Sequence, residues 1–240
     1  MWRTLRSEWG KTWSLRAPWI CLVASAVLVA VTASSLANDF VYGIAERPAS
    51  ARMPLMDAVG PALNLGQVAF AAFAMQLVTA EYASGAIRST LLAQPRRVTL
   101  VVAKAAIAAV CGLIVGAGSG VLAAWTSRLL LAEHLATGAE SYLLVALRSG
   151  ALMATVGILV VAIGALLRSA VGTLAAASVM LIGTLVVPTA LGRWLPGQAG
   201  ASFLSGAGEP YPGVVGLLVV TAWAVLLLGL GVAVVVRRDA

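Results

Sequence analysis

Histidine and cysteine are nearly missing from this chain, and charge is scarce. His134 is the single histidine in 240 residues, which excludes a metal site built on several imidazoles. Cys21 and Cys111 are the two cysteines. Both sit in apolar runs, so they read as small core residues and not as a disulfide framework. Charged side chains make up 10% of the sequence, too few to solvate a globular domain of this length. A nucleotide loop is also missing: Gly10-Lys11-Thr12 ends like one, but Leu5 stands where that loop needs glycine, and no buried strand precedes it. The apolar runs offer no paired carboxylates, no serine with a base and no histidine ligands for intramembrane proteolysis. Nor do they show the charge rings or filter-like loop of a passive channel. The chain reads as a non-enzyme.

What it has in quantity is hydrocarbon. Hydrophobic residues make up 61% of the sequence, and the mean hydropathy is +0.98. A bilayer core about 30 Å thick takes roughly 20 apolar residues in a helix. Such windows lie near Pro18–Ala37, Pro61–Ala80, Ala105–Thr126, Tyr142–Leu167, Ala170–Leu191 and Gly213–Val236. The expectation is an all-α integral membrane protein, one domain over residues 1–240 with six transmembrane helices. The run ending Ser35-Leu36-Ala37 resembles a signal peptide, but its length favours a retained span.

Arg3, Arg6, Lys11, Arg16, Arg88, Arg96, Arg97, Lys104, Arg168, Arg237 and Arg238 fall on the N-terminal side of this topology. Only Arg47, Arg52, Arg128 and Arg193 fall on the other. Basic residues concentrate in cytoplasmic segments, so both termini are expected in the cytoplasm and the protein in the cell membrane. Scattered along membrane boundaries, these cations form no contiguous face for nucleic acid.

Within residues 1–16, a helical period gathers Trp2, Leu5, Trp9 and Trp13 into one arc, with Arg3, Arg6 and Lys11 off it. That pattern predicts an amphipathic helix lying along the lipid headgroups before the first span. Asn64, Gln67 and Gln76 dilute the second window; they either bond between helices or line a substrate path or subunit seam. Gly112, Gly116 and Gly120, and again Gly150, Gly157 and Gly164, form ridges that let helices approach closely. Arg148, inside the fourth window, has no evident carboxylate partner within the membrane and is expected to reach outward. Residues 192–212 read as a Gly- and Pro-rich outer loop that dips into the headgroups.

One polar stretch interrupts the hydrocarbon: E81-Y-A-S-G-A-I-R-S-T-L-L-A-Q-P-R-R97. As a helix it places Glu81, Ser84, Gly85 and Arg88 on one side and Ala83, Ile87 and Leu91 roughly opposite. Pro95 disfavours helix in the residue before it and ends the element. A short amphipathic helix between two spans is suited to dock into another protein.

The pattern E81-Y-x-S-G-x-I-R-x-T-L-L-A-x-P-R-R, with L-V-x-A-K104 after it, resembles the segment between the second and third spans of ABC-2 type permeases of ATP-binding cassette transporters. The L167-R-S-A-V-G-T-L-A junction, L195-P and the R237-R-D-A240 ending agree with it; Ala86 departs, since the family often has threonine there. The resemblance implies a six-span permease with an N-terminal elbow helix, paired with a second permease chain, identical or related. Two cytoplasmic ATPase subunits would drive it, holding the ATP and Mg; this chain itself would bind no cofactor. It also implies that Glu81, Tyr82, Gly85, Ile87, Arg88 and Leu91 belong to a coupling helix in contact with the ATPase, closed by Pro95, Arg96 and Arg97. The alternative is an ATPase-independent membrane protein that acts by binding, such as an immunity or sensor protein.

Overall fold

The structure is a computed structural model, and it describes residues 2–46, 48, 50–83, 85, 97–138, 140–206 and 210–238. Among the described residues the chain is helical. α1 (Trp2–Trp13) precedes α2 (Arg16–Tyr42), α3 (Leu55–Ala83) and α4 (Arg97–Leu131). α5 (Tyr142–Leu167), α6 (Ala170–Leu181), the short α7 (Thr189–Gly192), α8 (Pro196–Ser205) and α9 (Gly213–Arg238) follow. Five of these, α2, α3, α4, α5 and α9, are long and apolar enough to cross a membrane, and the chain is a multi-pass membrane protein. Of the coupling segment, Ile87, Arg88, Leu91, Pro95 and Arg96 lie outside the described residues.

α5 is the central helix. It packs against α4, α9, α3 and α6 and buries Val156, Leu159 and Val160 completely. Lipid is as apolar as these side chains, so close van der Waals packing holds the helices together in a membrane. Most glycines of the two ridges anticipated from the sequence lie in the α4–α5 contact, whereas Gly164 faces Val78 and Thr173. A Cβ added at Gly112 would lie 2.5 Å from the Met153 carbonyl oxygen, and one at Gly157 would lie 2.8 Å from that of Ala108. The α4 and α5 backbones therefore come into direct contact at Gly112 and Gly157, while Gly116 and Gly120 receive the Met153 and Ser149 side chains.

Local chemistry sets the junction of α5 and α6. Arg168 caps α5 with φ 55°, its N–H donating to Gly164 O at 2.9 Å. Ser169 then opens α6 by accepting from Gly172 N–H at 3.3 Å. At the other end of the bundle, Met53 N–H donates to His134 O at 2.9 Å and Ala136 N–H to Met53 O at 3.0 Å, joining two connections.

The fifth apolar window departs from expectation. It is not one helix over Ala170–Leu191: α6 stops at Leu181, about 18 Å from its start at 1.5 Å per residue. A 3-10 turn follows over Gly183–Val186, and Pro188, which has no N–H and biases Val187 to extended backbone (φ −74°, ψ 137°), ends the helical run there. Hydropathy counts the apolar residues and misses the break. After an excursion through exposed Val186 and Leu191, α8 resumes beside the end of α6, where Gly197 N–H donates to Thr184 Oγ1 at 3.0 Å. Residues 192–212 are accordingly not just a loop dipping into headgroups. Pro196 starts α8 at a position where its missing N–H costs nothing, α8 packs on α9, and Phe203 and Leu204 are buried.

Candidate functional site

A helix spans Trp2–Trp13 (α1), and the face it turns to the bundle lies off the tryptophan arc. Thr4, Glu8 and Thr12 are the buried residues. Leu5 and Trp13 are half-buried, and Trp2 and Trp9 face out. Each inward residue recurs one turn after the last, so α1 lays a polar stripe against the bundle.

That stripe closes a ring of four charges. Lys104, in the second turn of α4, donates to Glu8 Oε2 at 2.6 Å and to Leu77 O at 2.6 Å. Its Nζ also lies 3.2 Å from Glu81 Oε2, in the last turn of α3. Lys11, one turn beyond Glu8 on α1, donates to Glu8 Oε1 at 2.6 Å and to Glu81 Oε1 at 3.1 Å. Each acid thus bridges both bases, and each base bridges both acids. The side chains of Glu8 and Lys104 are only 4% and 7% exposed, whereas Lys11 reaches the surface. The two charges of each sign cancel, and the doubly bridged geometry offsets a desolvation cost that an isolated pair recovers poorly.

Burial by itself raises the Glu8 carboxyl. The adjacent Lys104 ammonium and the bonds from Lys104 and Lys11 outweigh it and leave Glu8 below the usual carboxylate range. Burial likewise lowers Lys11, but the bonds from Glu8 and Glu81 win and hold it above the ordinary lysine value. Both shifts favour the charged forms of Glu8 and Lys11.

A cavity of about 320 Å³ opens beside the ring, lined by Ser14, Pro18, Gln76, Leu77 and Ala80 as well as the four charges. Gln76 donates to Cys21 Sγ at 3.1 Å and to Ala72 O at 2.9 Å, linking α3 to α2. Asn64 and Gln67 bond to each other at 3.3 Å, several turns away on the same helix. The three polar residues of the second window therefore do not form one cluster.

Tyr82, next to Glu81, lies under the Arg168 guanidinium, whose Cζ is 5.2 Å from the ring centroid. Gly85 follows with φ 71°, a conformation that suits glycine, and its N–H donates to Tyr82 O at 3.3 Å. Arg97 begins α4. The foot of the bundle thus gathers α1, the end of α3, the start of α4 and the α5–α6 turn around residues 81 and 82.

The sequence reading found Glu81 but missed Glu8 and Lys104. Their signal was present: one lysine inside an apolar run and one acid in a basic segment each need a partner when buried. At the opposite end, Arg148 reaches outward, as expected, to a carboxylate outside the apolar window. It donates to Glu140 Oε1 and, at 3.4 Å, to Leu204 O at the end of α8, while Arg128 donates to Glu140 O. Comparison of the chain with protein-family models, curated proteins and solved structures finds no match in any of the three. The resemblance to a transporter family thus stands on its motif residues alone.

Proposed function

We propose that the chain is the membrane-spanning permease subunit of an ATP-binding cassette exporter, coupling ATP hydrolysis in separate cytoplasmic ATPase subunits to outward movement of a substrate. The observation that carries this reading is the four-charge ring. Glu81, first residue of the motif that resembles a coupling segment, is bonded to Lys11 of α1 and lies in an ion pair with Lys104 of α4. A displacement delivered to the chain beyond Glu81 reaches three helices at once, and through Tyr82 and Arg168 a fourth place in the fold.

On this reading α1 is the elbow helix, residues 81–97 dock on the ATPase, and α6 with α8 makes a broken crossing that completes six. The termini face the cytoplasm. A second permease chain, identical or related, completes the path, and ATP and Mg stay with the partner subunits. Nucleotide shifts the permease only through the difference in its affinity for the two states of the assembly.

The test is co-purification of the full chain with a cytoplasmic ATPase encoded beside it, repeated for Glu81→Lys and Arg88→Glu. Association lost or weakened in both variants is the expected result. Unchanged association together with unchanged ATP-driven export would sink the coupling role and leave a membrane protein that acts by binding alone.

A further inference from the structure

Two apolar grooves flank Trp9, and the charge ring uses neither. The first, about 420 Å³, lies between α1 and α4 and is lined by Trp2, Leu5, Arg6, Trp9, Ile107 and Val110 among others. The second, about 450 Å³, continues between α1, α2 and α4 past Trp13, Trp19, Ile114 and Gly118. Together they follow α4 from Ala106 to Ser119, about 20 Å at 1.5 Å per residue. One leaflet of hydrocarbon is about 15 Å deep, so the grooves are long enough to take the tail region of a single lipid and part of its headgroup. Tryptophan at the mouth suits the headgroup boundary.

Charge identifies the headgroup. Glu8, the one acid of α1, is turned inward and bonded to Lys104 and Lys11. Arg3 and Arg6 remain exposed on the outer side of α1, and Arg6 lines the first groove. The ring therefore sorts the charges of α1, acid inside and arginine outside.

We infer that the paired grooves bind one anionic phospholipid, its tails against Trp9, Trp13 and Ile114 and its phosphate against Arg6 and Arg3. The site requires only that α1 lies at a membrane interface, so it is independent of any ATPase partner. Each basic residue near the phosphate favours the anionic lipid roughly fivefold.

The experiment is native mass spectrometry of the full chain purified with equimolar palmitoyl-oleoyl phosphatidylglycerol and phosphatidylcholine. One retained phosphatidylglycerol, favoured on the order of tenfold over phosphatidylcholine, is expected. The double variant Arg3→Glu/Arg6→Glu, on an exposed surface, should lose that preference. A Cβ at Gly118 enters open space, with no atom within 4 Å, so Gly118→Phe begins in the second groove and should abolish retention of either lipid. Equal retention of the two lipids by the native chain, no retention at all, or retention unchanged by both variants would overturn the site.

Discussion

Lys104→Met is the most informative single change at the foot of the bundle. It removes the donor to Glu8 Oε2 and Leu77 O and the ion-pair partner of Glu81 Oε2. Glu8 then stays buried with only the surface lysine Lys11 to balance it. Breaking a buried pair from one side costs about 3–5 kcal/mol. In a chain of this size each kcal/mol moves the melting temperature by roughly 2–4 °C, so a fall of ~6–20 °C is expected in detergent, followed by tryptophan fluorescence. The double change Glu8→Gln/Lys104→Met removes both deeply buried charges and leaves the Lys11–Glu81 edge intact. It should recover about half of the loss or more, a coupling of roughly 1–3 kcal/mol. The exchange Glu8→Lys/Lys104→Glu distinguishes a ring from a pair. It restores one edge but sets like charges on the edges to Lys11 and Glu81, so it should not rescue. A charge exchange that melts with the native chain, or a Lys104→Met chain of native stability, would refute the closed ring.

The ring also fixes the pH response. Glu8 is held below its ordinary 4.5, so its contribution is present above that value and lost as pH falls through the depressed one. Lys11 is held above 10.5, so its contribution is present below that value and lost as pH rises past the elevated one. With Glu81 and Lys104 facing both, the melting advantage of the native chain over Glu8→Gln should be level between about pH 5 and 10 and shrink in stronger acid. Gly112→Leu should part the α4–α5 seam, because its first added carbon would fall 2.5 Å from the Met153 carbonyl oxygen. A cost of about 1–3 kcal/mol, read as a lower melting temperature, is expected, against little change for Gly229→Leu, whose added carbon meets nothing. A reporter fused after Asp239 should register as cytoplasmic, and an external signal there would overturn the proposed orientation.

The long apolar helices were legible in the sequence because burying backbone polar groups in lipid leaves few alternatives to a helix of bilayer length. The windows beginning at Pro18, Pro61, Ala105, Tyr142 and Gly213 all fall within observed helices. The fifth window failed for a local reason, since a 3-10 turn and then Pro188 interrupt its apolar residues. The site was half legible. Glu81 stands in a polar interruption that draws attention, whereas Glu8 and Lys104 are 96 residues apart and single charges carry no periodicity. Arg148 does reach outward as expected, and its partner Glu140, before the start of α5 and outside the apolar window, could not be named from the sequence. What sequence spacing supplies is contact along one helix; contacts between helices depend on how the bundle closes.

The seam between α4 and α5 has a mechanical consequence. Where main chain rests on main chain, no rotamers stand ready to rearrange, and sliding one rod past the other opens a gap that nothing refills. α4 and α5 thus form the tightly joined centre of the bundle. α2 and α9 keep only 28% and 22% of their apolar spans inside it, so most of their surface is left for lipid or a neighbouring chain. The inside of this protein is closed by glycine, and its outside is open for company.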